Sequence, residues 1–373
     1  MGQLFISLIL GLIISSDLRS EEMKLINVAT YGFSDYLKKS IFGGISGLTY
    51  DQKKNKIYAV SDDRDEYGKA RYYIFDLIQN KNGTWDIKLI DKVETLNPEG
   101  KSYQKSDTDY EAIALMPDGN FLISSEGGLD QVPPIYPSFL LYSPEGKWLK
   151  NLSIPDAIKG DEKRTYGAYY NRAVESLSFT EDKKYLFFGT EYSLIQDGPR
   201  PTSKEGGYIR IYRSELDDKG DLKLGATYVY HLDPVPPVKG LKKSQRRGDN
   251  GMTEIFALNK EEFLTLERSS YEDIMENTIK IFKASTAQAT DVKELKTLKK
   301  AKFTSIKKEL IFDLDSVMGN IPKTLHSFNK MEGMTLGPKL SDGSRLVIMA
   351  SDNDFVYGRD TLFIFLKYTG SGI

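Results

Sequence analysis

One pattern recurs five times along this chain: an apolar strand, a tight polar turn, and a second apolar strand ending in an acidic or Ser/Asp group. GGISGLTYD (43–51) precedes NKIYAVSDD (55–63), and DYEAIALMPDG (109–119) precedes NFLISSE (120–126). AVESLSFTED (173–182) leads into KYLFFGTE (184–191), and GMTEIFALNK (251–260) into EFLTLER (262–268). MEGMTLGPKLSDG (331–343) leads into SRLVIMASDND (345–354). Runs of this length, rich in β-branched and aromatic residues and split by turns such as Pro117-Asp118-Gly119, read as antiparallel hairpins. A chain built this way is a repeat array, and its length comes from repetition.

Each hairpin is followed by a third strand: 71–77, 138–144, 207–216, 278–285 and 361–368. Four of them have a fourth (WDIKLIDKV, KWLKNLSI, LGATYVYHL, KELIFDL), whereas the fifth unit ends the chain with three. The strand KLINVATYG (24–32) is left over at the other end. Lending it to the last unit closes a ring and removes the exposed edges an open array would leave. The fold class predicted is therefore all-β, a β-propeller of five four-stranded blades closed by the N-terminal strand, forming one domain over 24–373. A six-bladed ring is the alternative, with a degenerate blade inside 286–305. Lys293 to Leu310, with seven lysines, reads as a solvated loop or edge.

The chain has no cysteine and two histidines, His231 and His326. Thiolate metal sites, disulfides and cysteine nucleophiles are excluded, and neither histidine is placed as a catalytic base. With 51 basic and 53 acidic residues nothing draws the chain toward nucleic acid. Chemistry must come from carboxylates, arginines, lysines and tyrosines. First strands open on Glu111, Glu175, Glu254 and Glu332, and second strands end on Glu126, Glu191, Glu267 and Asp352, with Asp62 and Asp63 in the first unit. The start of one hairpin strand lies beside the end of the next. If the first strand is innermost, both acidic sets converge on one mouth of the central channel. Crowded carboxylates need compensation, which calcium supplies with six to eight oxygens and no His or Cys. Arg64, Arg172 and Arg268 lie beside the same motifs and either pair with the carboxylates as a structural lattice or hold an anion such as phosphate. Ser46 occupies the slot of a glutamate, so Gly44-Ile45-Ser46-Gly47 reads as a degenerate repeat position rather than a serine-hydrolase turn.

At the N-terminus, Leu4 to Ile14 is an apolar run of 11 residues, too short to span a bilayer, followed by Ser15, Ser16 and a polar stretch. It reads as a signal peptide over 1–16, which predicts a periplasmic or secreted protein without stable membrane insertion.

GGISGLTYD with VSDDR, DYEAIALMPDGNFLISSE, NRAVESLSFTEDKKYLFFGTEYSLIQDGP, FLTLERS and MEGMTLGP with ASDNDF occur in an order that resembles the phytase-like family whose domain is called "esterase-like activity of phytase". The resemblance implies an exported bacterial propeller with phosphoester hydrolysis. It directs attention to Asp62, Asp63, Arg64, Glu111, Glu126, Asn171, Arg172, Glu175, Glu191, Glu267, Arg268, Glu332, Asp352 and Asp354. The roles expected are Asp62, Asp63, Glu111, Glu126, Glu175, Glu332 and Asp352 as calcium ligands. Arg64, Asn171, Arg172 and Arg268 bind substrate, Arg172 and Arg268 also stabilise charge, and Glu191 is the base. The reading is a calcium-dependent phosphoesterase in which calcium activates water, acting as a monomer on a small phosphorylated or ester substrate. The alternative is a non-catalytic exported propeller that binds a ligand or protein through the same face.

Overall fold

The computed structural model describes residues 23–32, 36–37, 40–128, 131–161, 163–237, 248–271, 277–321 and 330–370. The chain enters through β1 (Met23–Tyr31) and a short hairpin, β2 (Tyr36–Leu37) and β3 (Ser40–Ile41). The first blade is β4 (Ile45–Asp51), β5 (Lys56–Ser61), β6 (Arg71–Gln79) and β7 (Trp85–Glu94). The second is β8 (Tyr110–Leu115), β9 (Phe121–Ser125), β10 (Ser138–Tyr142) and β11 (Trp148–Leu152). One helical turn, α1 (Asp156–Lys159), precedes the third blade of β12 (Val174–Phe179), β13 (Tyr185–Thr190), β14 (Gly207–Leu216) and β15 (Leu222–Leu232). The fourth holds β16 (Gly248–Ala257), β17 (Glu262–Tyr271), β18 (Asn277–Ser285) and β19 (Lys307–Asp313). The fifth holds β20 (Met331–Lys339), β21 (Arg345–Ser351), β22 (Thr361–Tyr368) and, as its outer strand, β1.

This is a five-bladed β-propeller, closed as the leftover strand required. β1 runs antiparallel to β22 from Met23 opposite Tyr368 to Tyr31 opposite Thr361, with one irregularity between Leu25 and Asn27. The inner strands pack in cyclic order β4, β8, β12, β16, β20 and back to β4. Burial follows from position in the blade. Inner strands such as β12 are buried at every residue because neighbours enclose both faces, whereas the outer β7 alternates buried and exposed along Trp85 to Leu89. Aromatic side chains fill the wedges between blades: Tyr58 against Phe121 at 4.6 Å, Phe139 against Phe188 at 5.1 Å, Phe187 against Phe263 at 5.3 Å and Phe75 against Phe363 at 5.6 Å. Each fully buried ring contributes about 1.5–3 kcal/mol of transfer free energy, so the wedges supply much of the cohesion of the ring.

No sixth blade lies in 286–305. That segment carries no strand and covers the outer edge of the third blade: Val292 N–H donates to Thr227 C=O at 2.7 Å and Ile306 N–H to Val229 C=O at 2.8 Å. Val292 and Leu298 bury themselves against Val229, which shields an edge that would otherwise be free to pair. The 1–16 segment and His326 lie outside the described residues.

Candidate functional site

Each inner strand carries a β-bulge near its start: between Ile45 and Leu48, Tyr110 and Ile113, Val174 and Ser176, Met252 and Glu254, and Met331 and Gly333. The bulges bring equivalent residues to one mouth of the channel as a ring of Ser46, Glu111, Glu175, Thr253 and Glu332. The residues that end the second strands form a further ring of Asp62, Glu126, Glu191, Arg268 and Asp352. Its backbone is held in a repeated way: the N–H groups of Asp62, Glu126, Glu191 and Asp352 donate to Gly44, Asp109, Ala173 and Lys330, at 2.9 to 3.3 Å. Close approach demands glycine at Gly44, where φ is +66° and a Cβ would stand 2.3 Å from Asp62 Oδ1.

The fourth blade departs from the sequence alignment. Glu254, expected beside the other first-strand glutamates, is one residue out of phase, because Thr253 is the bulged residue and Met252 pairs with Glu267. Glu254 instead reaches the channel axis. Burial pushes its carboxyl well above the usual range, opposed by hydrogen bonds from the backbone N–H groups of Ile255, Met334, Leu48 and Leu177. Room for it exists because the equivalent residues are small: Gly47, Ala112, Ser176 and Gly333. Glu267 turns into its own blade, accepting from Tyr230 Oη at 2.7 Å, Asn250 Nδ2 at 2.9 Å and Lys308 Nζ at 2.6 Å. Arg268 takes the slot that is acidic in the other blades.

Asp63, expected among the calcium ligands, is not at the mouth. Its Oδ2 pairs with Arg71 Nη1 at 2.7 Å, both side chains being inaccessible, and its Oδ1 accepts from the N–H groups of Glu66 and Tyr67. Asp62 and Asp63 are adjacent in the chain and point to different surroundings, and Asp63 has no oxygen left to offer a cation.

The remaining groups do assemble. Oxygens of Asp62, Glu332 and Asp352 lie within 4.8 Å of one another, as do those of Asp109, Glu111 and Glu126. Asp109 and Lys330 were not singled out by sequence reasoning, although each stands two residues before a ring glutamate and strand alternation places such residues on one face. Among the described residues, eight carboxylates around the mouth (Asp62, Asp109, Glu111, Glu126, Glu175, Glu191, Glu332, Asp352) meet four cations (Arg64, Arg172, Arg268, Lys330).

The cations sit unevenly. Arg268 Nη2 reaches Glu191 at 3.3 Å and Glu332 at 3.2 Å. Arg172 Nε stands 3.0 Å from Glu191 Oε2 without alignment for a hydrogen bond. Lys330 bonds Asp352 and Asp354, each at 2.5 Å, and Glu332 at 3.4 Å. Arg64 pairs with Asp109 and donates to Asn171. Asp354 lies at the exposed edge of the site, shared between Lys330 and Arg359.

On the other side compensation is thin. Glu111 accepts from Ser46, and Oε1 of Glu126 accepts from the Ala173 N–H, but Oε2 of Glu126 is buried without a partner among the described residues. Glu175 makes no hydrogen bond or ion pair among the described residues. Burial pushes Asp62, Glu111, Glu126 and Glu175 well above the ordinary carboxyl range, and neighbouring carboxylates add to it. Asp109 is pushed by burial to about 6, held back by Arg64, and Asp352 to about 7, held back by Lys330. An orphaned buried carboxylate oxygen within a hard-oxygen donor set free of His and Cys fits calcium.

The chain matches the sequence profile of the phytase-like family, described as "Esterase-like activity of phytase", over residues 40–355. No curated protein matches it. Among solved structures it is similar to an endo-arabinase from Bacteroides thetaiotaomicron, at 12% identity over 89% of this chain and 96% of that one, with a TM-score of 0.43. An endo-1,4-beta-xylanase from the same organism aligns at 11% identity over 88% and 96%, with a TM-score of 0.43. The PQQ-bound aldose sugar dehydrogenase of Streptomyces coelicolor aligns at 11% identity over 93% and 100%, with a TM-score of 0.36. With this match covering most of its length, the chain belongs to the phytase-like family.

Proposed function

We propose that the carboxylate mouth is a calcium-dependent site for hydrolysis of phosphoric esters. The observation that carries this reading is the uneven division of the mouth among the described residues: one half is rich in arginine and lysine, and the other holds buried carboxylates with few cations, ending in the orphaned Glu126 Oε2. Asp109, Glu111 and Glu126 would hold the ion, while Asp62, Glu332 and Asp352 form a separate oxygen cluster that Lys330 neutralises. Bound calcium would supply positive charge that offsets the negative charge of a phosphoryl group and of its transition state. Arg172 and Arg268, held at the mouth by ion pairs with Glu191 and Glu332, bind and orient the phosphoryl oxygens. Glu191, expected as the base, is engaged by both arginines and fixes their positions. Glu175 is the better group to exchange a proton, since it makes no hydrogen bond or ion pair among the described residues and burial raises its proton affinity.

A second reading has its own support: Arg172, Glu191, Arg268, Glu332, Lys330 and Asp352 form a continuous chain of ion pairs. On this reading the mouth is a structural lattice in a binding propeller. Export through the 1–16 segment is part of either proposal; among the described residues no helix is long and apolar enough to cross a membrane.

The deciding experiment measures p-nitrophenyl phosphate and phytate hydrolysis, together with thermal melts, in calcium and in chelator. Calcium should raise the melting temperature and be required for turnover, and Glu175→Gln should abolish turnover while keeping most of the calcium stabilisation. Wild-type stability indifferent to calcium up to millimolar concentrations would overturn the metal site and leave the lattice.

A further inference from the structure

The opposite end of the channel is a different kind of place. Below the layer where Glu254 closes the axis, the inner strands splay around a cavity of about 720 Å³. Leu48, Leu177, Ile255 and Met334 form its floor, and Phe179 and Leu336 contribute apolar wall. Volume and lining fall in the range of small-molecule sites, which combine apolar walls with a few placed polar groups.

The placed groups include buried cations. Arg345, at the start of β21, lines the cavity and is 6% exposed. Its only hydrogen bond among the described residues runs from Nη2 to Glu181 Oε1 at 3.3 Å, and the Glu181 side chain is 57% exposed. Arg345 Nε and Nη1 are buried without a hydrogen-bond partner among the described residues. Lys183 also lines the cavity, its Nζ donating to the Leu115 C=O at 3.1 Å, and Lys53 and Lys54 stand in its wall. Three acids share the lining: Asp51 spends Oδ1 on the N–H groups of Lys53 and Lys54, Asp118 accepts from Asn120, and Glu181 holds Arg345. A buried guanidinium with so little compensation, facing an apolar cavity, is a counter-charge in search of an anion.

We propose that this lower mouth is a second binding site, independent of the carboxylate mouth, for an organic acid with an apolar body: the chain or ring lies against Leu177, Phe179, Met334 and Leu336, and the anionic head is drawn to Arg345 and Lys183. The Glu254 layer separates the two mouths, so a ligand here does not reach the carboxylates.

The test is calorimetric titration of the full chain, in calcium, with octanoate and with octan-1-ol as its uncharged counterpart. Octanoate should bind once per chain and at least tenfold more tightly than octanol. Arg345→Met should weaken octanoate at least fivefold with octanol within twofold of wild type, and Lys183→Met should weaken octanoate to a smaller extent. Thr49→Trp, at a partly buried wall position, should block both ligands. Calcium-dependent stabilisation should be unchanged in every variant. The proposal fails if octanoate binds no better than octanol, if Arg345→Met and Lys183→Met both leave octanoate affinity intact, or if Thr49→Trp leaves it intact. It fails equally if octanoate is displaced by phosphate at the upper mouth.

Discussion

Replacing Glu254 with glutamine tests the interior of the ring more sharply than any change at its rim. The backbone N–H groups of Leu48, Leu177, Ile255 and Met334 surround this one side chain, and Ile255 N–H donates to Oε1 at 3.0 Å. A carboxylate offers acceptor sites on both oxygens, whereas an amide offers them on one and turns two N–H donors toward the surrounding amides. A buried N–H group then loses its acceptor, so Glu254→Gln should cost about 1–3 kcal/mol. That is a sizeable part of a total stability of about 5–15 kcal/mol. Glu254→Leu should be worse than Glu254→Ala, because leucine keeps the four donors dry while alanine leaves space for water to serve them. Urea unfolding followed by fluorescence of the two tryptophans, Trp85 and Trp148, reads the loss as a lower midpoint at unchanged slope. A Glu254→Gln protein within 1 kcal/mol of wild type would refute the account, as would a leucine variant more stable than the alanine one.

Two further outcomes follow from the site. Because folding raises the proton affinity of Asp62, Glu111, Glu126 and Glu175, and carries Asp109 to about 6 and Asp352 to about 7, the folded protein without calcium binds more protons than the unfolded chain. Their contribution is present in full below the unfolded carboxyl range and is lost as pH rises through 6 and 7, so in chelator the melting temperature should fall between pH 5 and 7.5, and saturating calcium should flatten that fall; a chelated protein more stable at pH 7.5 than at pH 5 would contradict this. Asp63→Asn should cost about 3–5 kcal/mol by leaving Arg71 buried and underpaired. Its calcium-dependent shift in melting temperature should match wild type, and loss of that shift would return Asp63 to the ligand set.

Much of the architecture is legible in one dimension. Hairpins are local, their turns are marked by residues such as Pro117-Asp118-Gly119, and a ring with a three-stranded last blade demands the strand that Met23–Tyr31 supplies. The general location of the chemistry is legible too, since glutamates that open first strands and acids that end second strands must share one end of each hairpin. What the sequence leaves open is phase within a single residue. Strand alternation turns a one-residue slip into a change of face, and the slip at the fourth blade is set by where a bulge falls between Met252 and Glu254. That slip sends Glu254 to the axis and Glu267 into its blade, and gives the two slots to Thr253 and Arg268. The division of Asp62 from Asp63 has the same origin, with Arg71 from another strand claiming the second. Local pattern determined the strands, their order and the acidic mouth. Only the closed ring, whose inner strands must pack around one axis where four small residues leave room for one long side chain, decided which carboxylates face each other, which are spent on arginine, and which are left with little compensation.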